Sequence, residues 1–222
     1  MKLVFCGTPE FAVPTLEAVL TAGHEVALVL TQPDRPAGRK MELQASAVKK
    51  LALKHDLQVV QPEKLKFNED LKSQLQQIQP DAILVVAYGR IIPQWMLDLP
   101  RFGNINLHGS LLPKYRGAAP IQWAVANGET ETGVTTMHLD AGLDTGDVLL
   151  EQRLAIGSDT MASDLFPQLS QIGAGLVLAT LAGLEAGTIT RKPQDNTQAS
   201  LAPILTREDA RMDLTYRTAL EA

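Results

Sequence analysis

Asn106 and His108 are separated by one residue in Gly103-Asn104-Ile105-Asn106-Leu107-His108-Gly109, where polar and apolar side chains alternate. Alternation of that period is strand patterning. Successive strand side chains point to opposite faces, so a carboxamide and an imidazole would share one face about 7 Å apart. The carboxamide N–H can donate to a carbonyl oxygen as it gains charge. The imidazole, whose ordinary pKa lies near neutrality, can take a proton from an attacking nucleophile. Together they suit acyl transfer. The same two residues would equally satisfy backbone groups at a strand end, and spacing does not choose between the two uses. Asp144 lies in Ala141-Gly142-Leu143-Asp144-Thr145-Gly146-Asp147, whose glycines permit close backbone approach. A carboxylate there could orient an imidazole, or it could close an Asx turn.

Holding such groups at one place needs a sheet edge, and the patterning supplies one. Lys2 to Cys6 reads as a strand, a Gly7-Thr8-Pro9 turn follows, and apolar residues recur at helical spacing from Phe11 to Leu20. Val26 to Leu30, Gln58 to Val60 and the wholly apolar Ala82 to Ala87 read as further strands, with helices over Ala45 to His55 and Asn68 to Gln77 between them. This order predicts an α/β fold, a Rossmann-like, mostly parallel twisted sheet with helices on both faces. Beyond Leu112 a helix over Ala118 to Asn127 and strands over Gly133 to Leu139 and Asp147 to Leu154 predict mixed strands toward the C-terminal side. Leu165, Leu169, Ile172, Leu176 and Ala179 mark one face of a long helix, which Pro167 would either delay or kink. Gly109-Ser110 then falls at the carboxyl edge, where open α/β sheets place their ligands. A dinucleotide site would need G-x-G-x-x-G after the first strand, and only Gly7 is present there, which argues against NAD.

The 222 residues, 45% hydrophobic and 20% charged, fit one globular domain. A net charge of -5 gives no global attraction to nucleic acid, so any such contact must come from local basic loops. Cys6 is the only cysteine, which excludes an internal disulfide and points to a buried structural thiol. His24, His55 and His138 are scattered and read as surface or turn residues rather than a zinc site. Apolar runs such as Ala82 to Ala87 fall far short of a membrane span, and no signal-peptide pattern opens the chain, so a cytoplasmic protein is expected. From Gln194 onward the chain is polar and irregular, as in a tail leaving the core.

The stretch H-G-S-L-L-P-K-Y-R-G-A-A-P-I, His108 to Ile121, resembles the signature of the folate-dependent formyltransferases. It is joined by F-C-G-T-P-E-F-A-V-P from Phe5, T-Q-P-D-R-P-A-G-R from Thr31, V-V-A-Y-G from Val85, E-T-G-V-T from Glu131 and G-L-D-T-G-D from Gly142. The resemblance runs from residue 2 to about residue 213, and the Q-P-D-R-P-A-G-R loop is typical of the branch acting on methionyl-tRNA.

Several expectations follow from the resemblance alone. It implies formyl transfer from 10-formyltetrahydrofolate to the amine of initiator methionyl-tRNA for translation initiation, without a metal. Asn106, His108 and Asp144 match the family's catalytic residues; Ser110, Leu111, Leu112 and Pro113 match the segment that holds the folate; Val86, Ala87, Tyr88 and Gly89 resemble a wall of the pterin pocket. Arg35, Arg39 and Lys40, with Lys114 and Arg116 nearby, would grip tRNA phosphates. The resemblance further implies a catalytic domain over residues 1-190 and a linker or tail over 191-222, with the family's C-terminal β-barrel absent. Two other functions fit the same motifs: transfer to an amino-sugar nucleotide, and folate binding with little or no transfer.

Overall fold

A computed structural model describes residues 1–37 and 42–209. Its strands, in chain order, are β1 (Lys2–Gly7), β2 (Glu25–Leu30), β3 (Arg35–Ala37), β4 (Glu42–Gln44), β5 (Val59–Val60), β6 (Ala82–Val86), β7 (Asn104–His108), β8 (Glu131–His138) and β9 (Val148–Ala155). The helices are α1 (Val13–Thr21), α2 (Ala47–Lys54), α3 (Glu69–Ile78), α4 (Gln94–Leu97), α5 (Pro120–Ala126) and α6 (Ala162–Glu185). Seven strands form one sheet in the order β5, β2, β1, β6, β7, β8, β9. Pairing is parallel from β5 through β7 and antiparallel from β7 to β9. The Rossmann-like, mostly parallel sheet with mixed strands at its C-terminal side is therefore present. Between β1 and β6 the strand order reverses, and open α/β sheets hold their ligands at the carboxyl ends beside such a reversal.

Alternation along β1 shows why both faces are covered. Leu3 and Phe5 join the cluster that contains Leu16 and Val19 of α1 and Leu165 and Leu181 of α6. Val4 and Cys6 join the opposite cluster, with Leu71 and Leu75 of α3 and Met96 of α4. Cys6 is the buried thiol expected from sequence, and burial pushes its pKa up. Two helices begin where their polar residues cap them. Ser46 accepts from the Lys49 N–H at 3.0 Å, and Asn68 accepts from the Leu71 N–H at 3.0 Å, with Glu69 and Asp70 favourably placed in the first turn of α3.

Three expectations need correction, and one left open is narrowed. Helix α6 starts at Ala162, so Pro167 lies in its second turn and, of the two outcomes left open for it, the late start does not occur. It is also long and apolar enough by composition to cross a membrane, contrary to the estimate from short runs, but half of that stretch is buried inside the protein as a core helix would be. His138 is no surface residue. It ends β8 half-buried, its Nε2–H donates to the Phe102 carbonyl at 3.0 Å, and its buried Nδ1 has no partner among the described residues. Finally, residues 192–203 do not leave the core. Lys192 pairs with Val148, Leu201 pairs with Arg116, Ala202 is fully buried, and the Trp123 indole N–H donates to the Pro203 carbonyl at 2.8 Å.

Candidate active site

Strand β7 lies between parallel β6 and antiparallel β8, buried along its whole length. Its alternation turns Ile105 and Leu107 into the core under α6 and leaves Asn106 and His108 on the other face. The Asn106 carboxamide takes no hydrogen bond among the described residues and is not sealed, at 8% exposure. A buried amide with free donors at a sheet edge can serve a ligand oxygen. His108 Nε2 lies 2.8 Å from the Tyr115 carbonyl oxygen, an acceptor, so Nε2 carries the hydrogen and Nδ1 is the free position of the neutral ring.

Nδ1 faces Asp144, with Oδ2 at 3.6 Å. That separation is an electrostatic contact rather than a hydrogen bond. The same Oδ2 accepts from the Gly117 N–H at 2.8 Å. The Tyr115 carbonyl, not Asp144, thus fixes the tautomer, and Asp144 places negative charge beside the position that can gain a proton. Ala87, Tyr115 and Asp144 all hold positive φ, at 46°, 62° and 52°. Such residues cost about 1 kcal/mol or more each and gather where surrounding contacts over-determine the backbone. The glycines of the Asp144 loop act as expected, since Gly146 packs directly on the His138 backbone.

The segment after His108 is held from behind by Thr135. Its hydroxyl donates to the Ser110 carbonyl at 2.7 Å and receives the Leu112 N–H at 3.3 Å. Ser110 is fully buried and its hydroxyl donates to the Lys114 carbonyl at 2.6 Å, so it shapes the turn and offers no side chain to a ligand. Leu112 packs inward with Met137 and Val148, leaving Leu111 and Pro113 half-exposed. At the neighbouring strand end Ala87 and Gly89 are exposed while the Tyr88 ring is buried in the core cluster that holds Cys6 and Met96, which leaves that residue only its backbone to present. Gln32 braces this wall, its amide donating to the carbonyls of Tyr88 at 2.9 Å and Gly89 at 3.2 Å. Thr135 and Gln32 were not singled out from sequence, although both sit inside the quoted motifs.

The basic residues divide. Arg35 is exposed and donates at 3.1 Å to Gln32, the residue that braces Tyr88 and Gly89. Lys114 is exposed and paired with Glu129 at 2.9 Å, which raises its pKa. Arg116 is corrected. It is buried, and its guanidinium is taken up by Gln194 at 3.0 and 2.7 Å and Asn196 at 2.8 Å, so it is no surface grip for phosphate. Arg39 and Lys40 lie outside the described residues.

Comparison with known proteins gives this geometry a family. A family model described as formyl transferase matches residues 1–181. The methionyl-tRNA formyltransferase of Acidobacterium capsulatum is 66% identical over 99% of this chain, and that of Koribacter versatilis is 59% identical over 100% of it; the chain spans 70% of each relative's length. Among solved structures, an N-formyltransferase from Helicobacter canadensis in complex with folinic acid and dTDP-3-aminofucose superimposes with a TM-score of 0.70 at 24% identity. That match covers 94% of this chain and 72% of the other, and at such identity it speaks for the fold. The chain belongs to the formyl transferase family, in the branch of the methionyl-tRNA formyltransferases.

Proposed function

We propose that this chain transfers a formyl group from 10-formyltetrahydrofolate to the free amine of initiator methionyl-tRNA. The observation that carries the reading is the meeting of His108 and Asp144, 36 residues apart in sequence, with Nδ1 and Oδ2 separated by 3.6 Å at the carboxyl edge of the sheet. Identity of 66% to a methionyl-tRNA formyltransferase, across nearly the whole chain, supports this acceptor over a sugar. The donor fits what the edge offers: exposed backbone at Ala87 and Gly89, half-exposed Leu111 and Pro113, and a free carboxamide at Asn106.

The folate supplies the formyl carbon. As the amine nitrogen bonds to that carbon, Asn106 donates its amide N–H to the carbonyl oxygen, a contact worth about 3 to 4 kcal/mol in other acyl-transfer sites. The amine proton passes to Nδ1 of His108. The ring then donates on both sides, to Tyr115 and toward the Asp144 carboxylate. Breaking the bond between carbon and folate nitrogen returns the electron pair to that nitrogen, and His108 gives it the proton. The products are a formylated amine and tetrahydrofolate, with His108 neutral again. Arg35, Lys114 and the Arg39-Lys40 pair would meet acceptor-stem phosphates, so affinity should fall as salt rises.

A single-turnover assay with 10-formyltetrahydrofolate and charged initiator tRNA, run beside an amino-sugar nucleotide as acceptor, tests the reading. Formyl-methionyl-tRNA formation with the sugar unmodified is expected. Transfer to the sugar alone, or folate binding without transfer to either amine at any salt concentration, would refute it.

A further inference from the structure

Gln194 joins the Asp144 loop to the segment that carries His108's other partner. Its amide nitrogen donates to the carbonyls of Asp144 at 2.9 Å and Gly146 at 2.7 Å. Its oxygen accepts two N–H groups of Arg116, at 3.0 and 2.7 Å. One side chain therefore uses both of its hydrogens and both lone pairs, which is the full capacity of a primary amide. Arg116 lies between Tyr115, whose carbonyl receives His108 Nε2–H, and Gly117, whose N–H meets Asp144 Oδ2. Asp144 is thus tied to the three residues 115–117 twice, once through its carboxylate and once through its own carbonyl by way of Gln194 and Arg116.

The rest of the loop gives little support at this point. Residues 140–143 are exposed, and the bonds from Gly142 N–H and Thr145 hydroxyl to Asp140 brace only the tip. Asp144 itself sits at φ 52°, in the left-handed region, which an aspartate enters more easily than most residues but still at a cost that surrounding contacts must offset. The chain around Gln194 is held in turn. Ser200 accepts the Tyr115 N–H through its hydroxyl at 2.9 Å and the Arg116 N–H through its carbonyl at 2.8 Å, and Ala202 accepts the Ala119 N–H at 3.0 Å.

We propose that Gln194 is a positioning residue for the transfer, setting the Asp144 carboxylate against His108 by fixing the Asp144 carbonyl to Arg116. The proposal rests on the role given to Asp144 above. The Gln194 amide spends its whole hydrogen-bonding capacity on Arg116, Asp144 and Gly146, so its action on the transfer runs through that loop.

Gln194→Ala should lower kcat by about 10- to 100-fold, as misplacement of a reacting group by about 1 Å does, with KM for the folate donor little changed. In an Asp144→Ala background the same substitution should change kcat less than about twofold, because two residues acting through one contact are not additive. Multiplying effects in the double variant, or a fall in melting temperature with kcat intact, would overturn the proposal. Gln194→Glu guards against a folding failure. It keeps the bonds to Arg116 but sets a carboxylate oxygen against two carbonyls, and it should lose turnover similarly; an unimpaired Gln194→Glu chain counts against the idea. Amide hydrogen exchange over residues 140–147, measured without substrate, reports the holding alone and should quicken in Gln194→Ala. Unchanged exchange there refutes the holding. An Asp144→Ala chain with normal turnover refutes the role of Asp144 in the reaction, whatever the exchange shows, so the two failures are told apart.

Discussion

His108 sits between two acceptors, a carbonyl on Nε2 at 2.8 Å and a carboxylate facing Nδ1 at 3.6 Å. A neutral ring serves only the first, and a ring that has taken a proton serves both. Substituting His108→Ala removes the proton acceptor while leaving Asn106 and the folate segment in place. Turnover in the formyl-transfer assay should drop about 100- to 10,000-fold, the usual contribution of a positioned acid–base group. Near-normal turnover would take His108 out of the mechanism. At this scale the pair Asn106 and His108 was legible because strand alternation is local. Asp144 was nameable only through its motif, since no periodicity links residues on a strand and a distant loop. Gln194 carried no signal at all. Its four hydrogen bonds reach 48 to 78 residues back along the chain, and a glutamine in a polar stretch is what any tail contains. Arg116 misled for the related reason that an arginine's partners cannot be read from its neighbours in sequence.

At the level of elements, β7 must be pressed from behind if its outer face is to stay fixed. Helix α6 does this across Gly173, where an added Cβ would lie 2.5 Å from Leu107 Cδ2. The neighbours of His108 on that strand cannot retreat without moving the sheet. Gly173→Ala should therefore destabilise the protein by about 1 to 3 kcal/mol, the cost of overpacking a filled core, and lower its melting temperature in a thermal scan. An unchanged melting temperature would mean that α6 has room to shift. Elements with a clear pattern, α3 by its helical spacing of apolar residues and β6 by its unbroken apolar run, matched the sequence to within a residue or two. The antiparallel β3–β4 pair did not show, because Arg35-Pro36-Ala37 carries a proline and Glu42 to Gln44 is exposed throughout. The short α4, only 4 residues, buries Met96 without any repeat to reveal it.

Across the whole molecule the stability of the site depends on a segment that composition assigns to a tail. A chain ended after Pro193 would leave the buried Arg116 guanidinium without Gln194 or Asn196, and loss of acceptors from a buried charged donor costs about 1 to 3 kcal/mol or more. That shortened chain should melt lower than the full one and lose transfer, whereas equal melting would restore the boundary near residue 190. Global stability should also respond to pH through His138. Burial is the largest influence on this ring and lowers its pKa, opposed by the Nε2–H bond to Phe102; Arg191 lowers it further and Asp147 raises it. The unfolded chain then binds the proton at a higher pH than the folded one does. Stability contributed by the neutral ring is present above the ordinary histidine pKa and is lost as pH falls through the folded value. His138→Gln can keep a donor to the Phe102 carbonyl without a titrating group. Between about pH 7.5 and about pH 5.5 its melting temperature should fall less than that of the unsubstituted chain. Parallel falls in the two proteins would show that the pH response arises at other groups.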